Sequence, residues 1–131
     1  MSQDNVEIAT RAFDAFNRRD FDAVAELCDP AVTWRWGRHF FESDASGLAE
    51  LREFFERWTE AFPDVQVELE RVLGSGDRLI FLLRQSGTAG GSGVPSELEF
   101  AQIITFAEGA IQDVRNYLDR REALEAAGLS E

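Results

Sequence analysis

Lysine is absent from the 131 residues, and histidine, cysteine, tyrosine and methionine occur once each. The 13 formal cations are therefore all arginine, set against 25 carboxylates, for a net charge of −12. Such a surface repels phosphate backbones, and no cluster of basic residues offsets it, so nucleic acid and anionic membrane are excluded as partners. Cys28 alone cannot close an intramolecular disulfide. One cysteine and one histidine cannot furnish a zinc set, and no acidic run has calcium-loop spacing, so neither metal nor cofactor is expected. The glycines between Gly87 and Gly93 join two strands and carry no GK[ST], unlike a phosphate cradle. No G-x-S-x-G and no dinucleotide fingerprint is present. The longest aliphatic and aromatic run, LIFLL from Leu79 to Leu83, is too short to cross a bilayer. The N-terminal MSQDNVEI lacks the basic start and apolar stretch of a signal peptide, so a soluble cytoplasmic protein is expected.

What is abundant is ring surface. Eleven phenylalanines and three tryptophans sit in a chain that is 44% hydrophobic, and rings without polar tips suit thick apolar walls. The length suits a single domain over residues 1–131, with a core that needs no staple. The stretch TWRWGRHFF, Thr33 to Phe41, concentrates two of the tryptophans with the only histidine, His39.

Val6, Ala9, Phe13 and Phe16 recur at helical spacing, predicting a helix over 3–17. Asp20 caps a second helix with inner face Phe21, Val24, Leu27 and Cys28, stopped at Asp29-Pro30. AVTWRW alternates as a short strand. Leu48, Leu51, Phe54, Phe55 and Trp58 mark a third helix to about Ala61. From Val65 the period falls to 2, giving four strands: one to the GSGD turn, then RLIFLLRQS, ELEFAQIITF and AIQDVRNYL. REALEAAGL predicts a closing helix. Helices first and antiparallel strands later indicate an α+β fold with helices on one face of a curved sheet.

Parity sorts the strand faces. Leu98, Phe100, Gln102, Ile104 and Phe106 form the inner face of ELEFAQIITF. Asp113 and Arg115 resist burial, so Gln112, Val114, Asn116 and Leu118 point inward. RLIFLLRQS is apolar on both faces; with Ile80, Leu82, Arg84 and Ser86 set toward the helices, Leu79, Phe81 and Leu83 line the outer face. A bare apolar outer face signals association, and predicts a homodimer through the sheet; the alternative is a C-terminal helix folded back over it. The inner set then combines Phe13, Phe16, Trp34, Trp36, Phe54, Phe55, Trp58, Leu82, Ile104, Val114 and Leu118 with the polar groups Arg84, Gln102, Asn116 and His39. Apolar walls with few converging polar groups describe a small-molecule pocket.

The opening NVEIATRAFDAFNRRDFDAVAELCDPAVTW, the helix around LREFFERW and the ending GAIQDVRNYLDRREALEAAG resemble the nuclear transport factor 2-like superfamily, and within it the SnoaL-like, polyketide cyclase-like subgroup. The resemblance implies a cone of three helices over a strongly curved, mainly antiparallel sheet, often dimeric, with a short C-terminal helix. It implies much less about activity, because the group includes isomerases, cyclases, epoxide hydrolases and proteins that only bind or assemble. The isomerases' catalytic aspartate falls on Trp34, their tyrosine near Ala12 and their second aspartate near Gln102. The epoxide hydrolases' arginine falls on Arg84, but Ser86 and Asn116 replace the acids. The cyclases' glutamine falls on Gln102, and Asn116 replaces their acid. The general bases are missing, and among the candidates only His39 has a pKa suited to proton transfer near neutrality.

The expected function is binding of an apolar, oxygen-bearing ligand of polyketide- or steroid-like character, held by Arg84, Gln102 and Asn116. One alternative is an isomerase or cyclase in which Arg84 and Gln102 stabilise an enolate with His39 as base. The other is a dimeric assembly module with a filled cone.

Overall fold

The computed structural model describes residues 2–36, 44–88 and 93–128. In chain order these form α1 (Ser2–Asn17), α2 (Phe21–Glu26), β1 (Cys28–Trp36), β2 (Ala45–Ser46), α3 (Leu48–Ala61), β3 (Gln66–Ser75), β4 (Arg78–Thr88), β5 (Pro95–Ala107), β6 (Ala110–Tyr117) and α4 (Arg120–Ala126). The six strands make one curved sheet in the order β2-β1-β6-β5-β4-β3. Only the β1–β6 pair is parallel. This is the expected α+β cone, with α1, α2 and α3 packed on one face of the sheet. No helix among the described residues is long and apolar enough to cross a membrane.

Boundaries moved where local chemistry competes. α2 stops at Glu26, and Cys28 and Pro30 begin β1 instead of ending the helix. Pro30 has no N–H to give the ladder, and the β1–β6 register shifts between Cys28 and Thr33, around that residue. The two-residue β2, paired with Thr33 and Trp34, carries no periodic signal of its own. Between β5 and β6, Glu108 and Gly109 both have positive φ, 53° and 78°. That pair is the two-residue hairpin geometry in which glycine avoids a Cβ penalty.

Both faces of the sheet are covered, and this decides the orientation of β4. Leu79, Phe81 and Leu83 belong to the core beneath the three helices, with Phe100, Ile104, Phe106 and Val114. Ile80 and Leu82 form a second cluster with Ala101, Ile103, Tyr117, Ala123 and Leu124, under α4. The expected parity of β4 is therefore reversed: Ile80, Leu82 and Arg84 face away from the helices. The outer apolar strip exists, but the C-terminal helix folds back over it, and Ile80 retains 1% exposure. Arg120 anchors that helix. Its guanidinium donates to the main-chain carbonyls of Leu83 at 2.7 Å and Phe100 at 3.3 Å, and to Glu70 at 2.6 Å.

α1 is tied across the open edge at β3. Asn5 donates to the Gly76 carbonyl at 3.0 Å. Asn17 accepts from Val67 N–H and donates to Val67 C=O, each at 2.9 Å, supplying the partners that an edge strand lacks. Arg19, with φ of 65°, adds bonds to Pro63 and Val65 carbonyls. At about 1 kcal/mol for each of the two strand bonds, Asn17→Ala should lower unfolding free energy by roughly 2 kcal/mol. Urea denaturation checks this, and a loss below about 0.5 kcal/mol would contradict the edge-tie.

Candidate functional site

The sheet register assembles the floor of the cone. Two rows of cross-strand partners run along its inner face, Trp34–Val114–Ile104–Leu79 and Trp36–Asn116–Gln102–Phe81. Above them, α1 supplies Ala9, Ala12, Phe13 and Phe16, and α3 supplies Leu51, Phe54, Phe55 and Trp58. Every one of these residues except Leu79 and Phe81 lines a single cavity of about 100 Å³. The wall is a continuous ring lattice. Trp34 meets Phe55 edge-on at 5.4 Å and 86°, Trp36 meets Phe54 at 5.1 Å, and Trp58 stacks on Phe54 at 6.0 Å. Leu98 also lines the cavity yet is 37% exposed, so the wall reaches the surface there.

The polar groups are two amide systems. Asn116, 2% exposed, donates Nδ2–H to the Arg35 carbonyl at 3.1 Å and accepts on Oδ1 from Gln102 Nε2 at 2.9 Å. Near Leu98, Trp58 Nε1–H donates to Gln85 Oε1 at 3.2 Å. Trp34 Nε1 is the one sealed side-chain nitrogen or oxygen among the described residues without a partner.

The described wall contains no carboxylate, imidazole, guanidinium or phenol. Its single ionisable group is the Cys28 thiol, pushed up from 9.0 to about 11 by burial. A neutral thiol and three primary amides, Gln85, Gln102 and Asn116, cannot take up a proton near neutral pH.

Arg84 is elsewhere. It lies on the outer face, bonded to Glu70, Glu97 and Glu99 at 3.0, 3.1 and 2.9 Å. The hydrogen bond to Glu70 is the main reason its pKa rises, and Arg120 and then Arg84 hold Glu70 low. Three carboxylates outside outweigh burial beside apolar rings, which corrects the expectation that Arg84 faces the cone. Leu82 goes with it, under α4. Leu118 follows the end of β6 and is 38% exposed, also away from the cavity. Gln112 is exposed because a register shift between Thr105 and Phe106 turns Ile111 inward instead. His39 lies outside the described residues.

Phe13, Phe16, Trp34, Trp36, Phe54, Phe55, Trp58, Gln102, Ile104, Val114 and Asn116 do converge on one cavity. Gln85 went unpredicted. The available signal was cross-strand charge: Glu97 and Glu99 sort outward by parity, and an arginine opposite Glu99 belongs on their face. That puts Gln85 inside.

The SnoaL-like domain model matches residues 9–114. The chain belongs to the SnoaL-like domain family.

Solved structures share the fold at low identity. A nuclear transport factor 2-like protein of unknown function from Burkholderia pseudomallei K96243 is 22% identical with a TM-score of 0.80, over 95% of this chain and 97% of the other. A putative SnoaL-like polyketide cyclase from Jannaschia sp. CCS1 is 21% identical with a TM-score of 0.80, over 99% and 95%. TerC, co-crystallised with polyporic acid, is 17% identical with a TM-score of 0.78, over 93% and 96%. No curated protein gives a significant match.

In this SnoaL-like chain the raised Cys28 thiol makes stability depend on alkaline pH. Between pH 9 and about 11 the unfolded thiol has lost its proton while the folded one keeps it. Stability is thus intact below pH 9 and falls across that window, by about 2–3 kcal/mol. Denaturation curves of wild type and Cys28→Ala should diverge there, the variant losing less. Parallel pH profiles would contradict the buried, cavity-facing thiol.

Proposed function

We propose that the SnoaL-like chain, acting as one domain over residues 1–131 in the cytoplasm, binds a small, uncharged, mainly apolar molecule carrying oxygen in its cone. The observation that carries this reading is the wall itself: aromatic on most sides, uncharged throughout the described residues, with amides as its polar points. An ion entering such a site would lose its hydration and meet no counter-charge, and the net charge of −12 further repels anions. Size limits the ligand. An apolar cavity of about 150 Å³ takes up benzene, so about 100 Å³ suits one ring with slight adjustment of the walls. A polyketide- or steroid-like body would enter by one edge and extend past Leu98. In support, TerC, which shares the fold, was co-crystallised with polyporic acid.

The enolate-stabilising alternative loses its cation, because Arg84 is held outside by three glutamates. The assembly alternative, and a homodimer through the outer sheet face, lose the bare apolar strip that motivated them, because α4 occupies it. Ligand binding does not depend on either.

Toluene is the simplest probe of the cone. It should quench fluorescence from the wall tryptophans and raise the melting temperature of the wild type. Ala12→Leu, which fills the cavity from α1, should abolish both effects while keeping the fold, with stability unchanged or raised by up to about 1–2 kcal/mol. Arg84→Leu should leave toluene binding intact. Wild-type protein indifferent to millimolar toluene, or Ala12→Leu that still responds, would overturn the reading.

A further inference from the structure

The Gln102 amide has a fixed direction, and that direction selects a ligand class. Arg35 C=O can only accept, so Asn116 must turn its Nδ2 toward it, at 3.1 Å. Asn116 Oδ1 can then only accept, so Gln102 must turn its Nε2 toward Asn116, at 2.9 Å. Gln102 Oε1 is left pointing away from the relay. Among the described residues it receives no hydrogen bond, yet it is not a sealed atom, as Trp34 Nε1 is. Gln102 lines the cavity and is only 4% exposed overall, so the open side of Oε1 faces the cone.

We infer that the cone selects neutral ligands that donate a hydrogen bond, a ring bearing a hydroxyl or amine N–H at its inner end, with Gln102 Oε1 as acceptor and Asn116 as positioning residue. This rests on the reading of the cone as a binding site and sharpens it. The enolate alternative needs an amide that donates to a ligand oxygen; the relay presents a carbonyl. A phenol or alcohol completes the open valence of Oε1 without bringing charge into the cone. A carboxylate finds an acceptor opposed to an acceptor. An alkylbenzene leaves Oε1 unmatched.

Phenol against toluene, measured by calorimetry at neutral pH, separates the two levels of the argument. An apolar cavity without an acceptor disfavours the hydroxyl by about 1–3 kcal/mol, so toluene wins there by roughly tenfold or more. With Gln102 Oε1 in place, phenol should bind wild type as tightly as toluene or more tightly, and benzoate should not bind. Gln102→Leu should invert the order to toluene over phenol by roughly tenfold while retaining toluene. Asn116→Ala, which frees the amide to turn, should shift the phenol-to-toluene ratio the same way, an effect that lost packing alone does not produce. Should either variant fail to fold, the wild-type ratio decides. Toluene the tighter ligand of wild type, binding of benzoate, or a ratio unchanged in Gln102→Leu would overturn the acceptor assignment and leave the binding site standing. Failure of both phenol and toluene to bind would overturn the site and the assignment together.

Discussion

The register of β6 between β1 and β5 is the constraint on which the cone depends. It sets Gln102 opposite Asn116 and Asn116 beside Trp36, while Val114 lies between Trp34 and Ile104. A slip of β6 by one residue would send Asn116 and Val114 through the sheet, replacing one amide and one aliphatic with Arg115 and Asp113. Those charges instead stay on the opposite face. There Asp113 meets Arg35 through two hydrogen bonds at 2.9 and 3.0 Å and accepts another from Thr33. Burial alone would raise the Asp113 pKa, but the bonds from Arg35 and Thr33 outweigh it and hold the carboxyl low. The ion pair and the amide relay therefore lock the same register from opposite sides.

A sheet buried on both faces needs strands that are apolar on both, and β4 is such a strand. Its outer half is enclosed by α4, a helix of 7 residues that could not persist alone at that length. Arg120 compensates by bonding two strand carbonyls and Glu70, and Arg84 extends the same network to Glu97 and Glu99. Arginine, with its planar fork of donors, can serve several acceptors at once, which suits a chain without lysine. The outer network thus removes Arg84 from the cone and seals the strip beneath α4. An acidic surface and an uncharged interior follow from the same partition.

The helices and most of the sheet were legible because their signals are local. Phe54, Phe55 and Trp58 announce an inner helical stripe, and in β5 Leu98, Phe100, Ile104 and Phe106 share one parity opposite Glu99, Ala101 and Thr105. β4 was misread because periodicity cannot choose between two apolar faces; the choice was made by Glu70, Glu97 and Glu99, far from Arg84 in sequence. Gln112 was misplaced by a register shift that leaves no trace in composition, and Leu118 by the end of a strand one residue sooner. Gln102 and Asn116 were found by parity, but not their contact. The direction of both amides depends on the Arg35 main-chain carbonyl, 81 residues from Asn116 in sequence, which no local pattern encodes.

The central claim is that an apolar hollow persists between the three helices and the sheet, despite the crowd of rings around it. Xenon, a spherical probe without hydrogen-bonding capacity, tests that hollow directly, since empty apolar cavities take it up. Diffraction from a xenon-pressurised crystal should show a xenon atom bounded by Trp34, Phe54, Phe55 and Ile104. Anomalous density confined to the molecular surface, with the cone filled by its own side chains, would contradict the account.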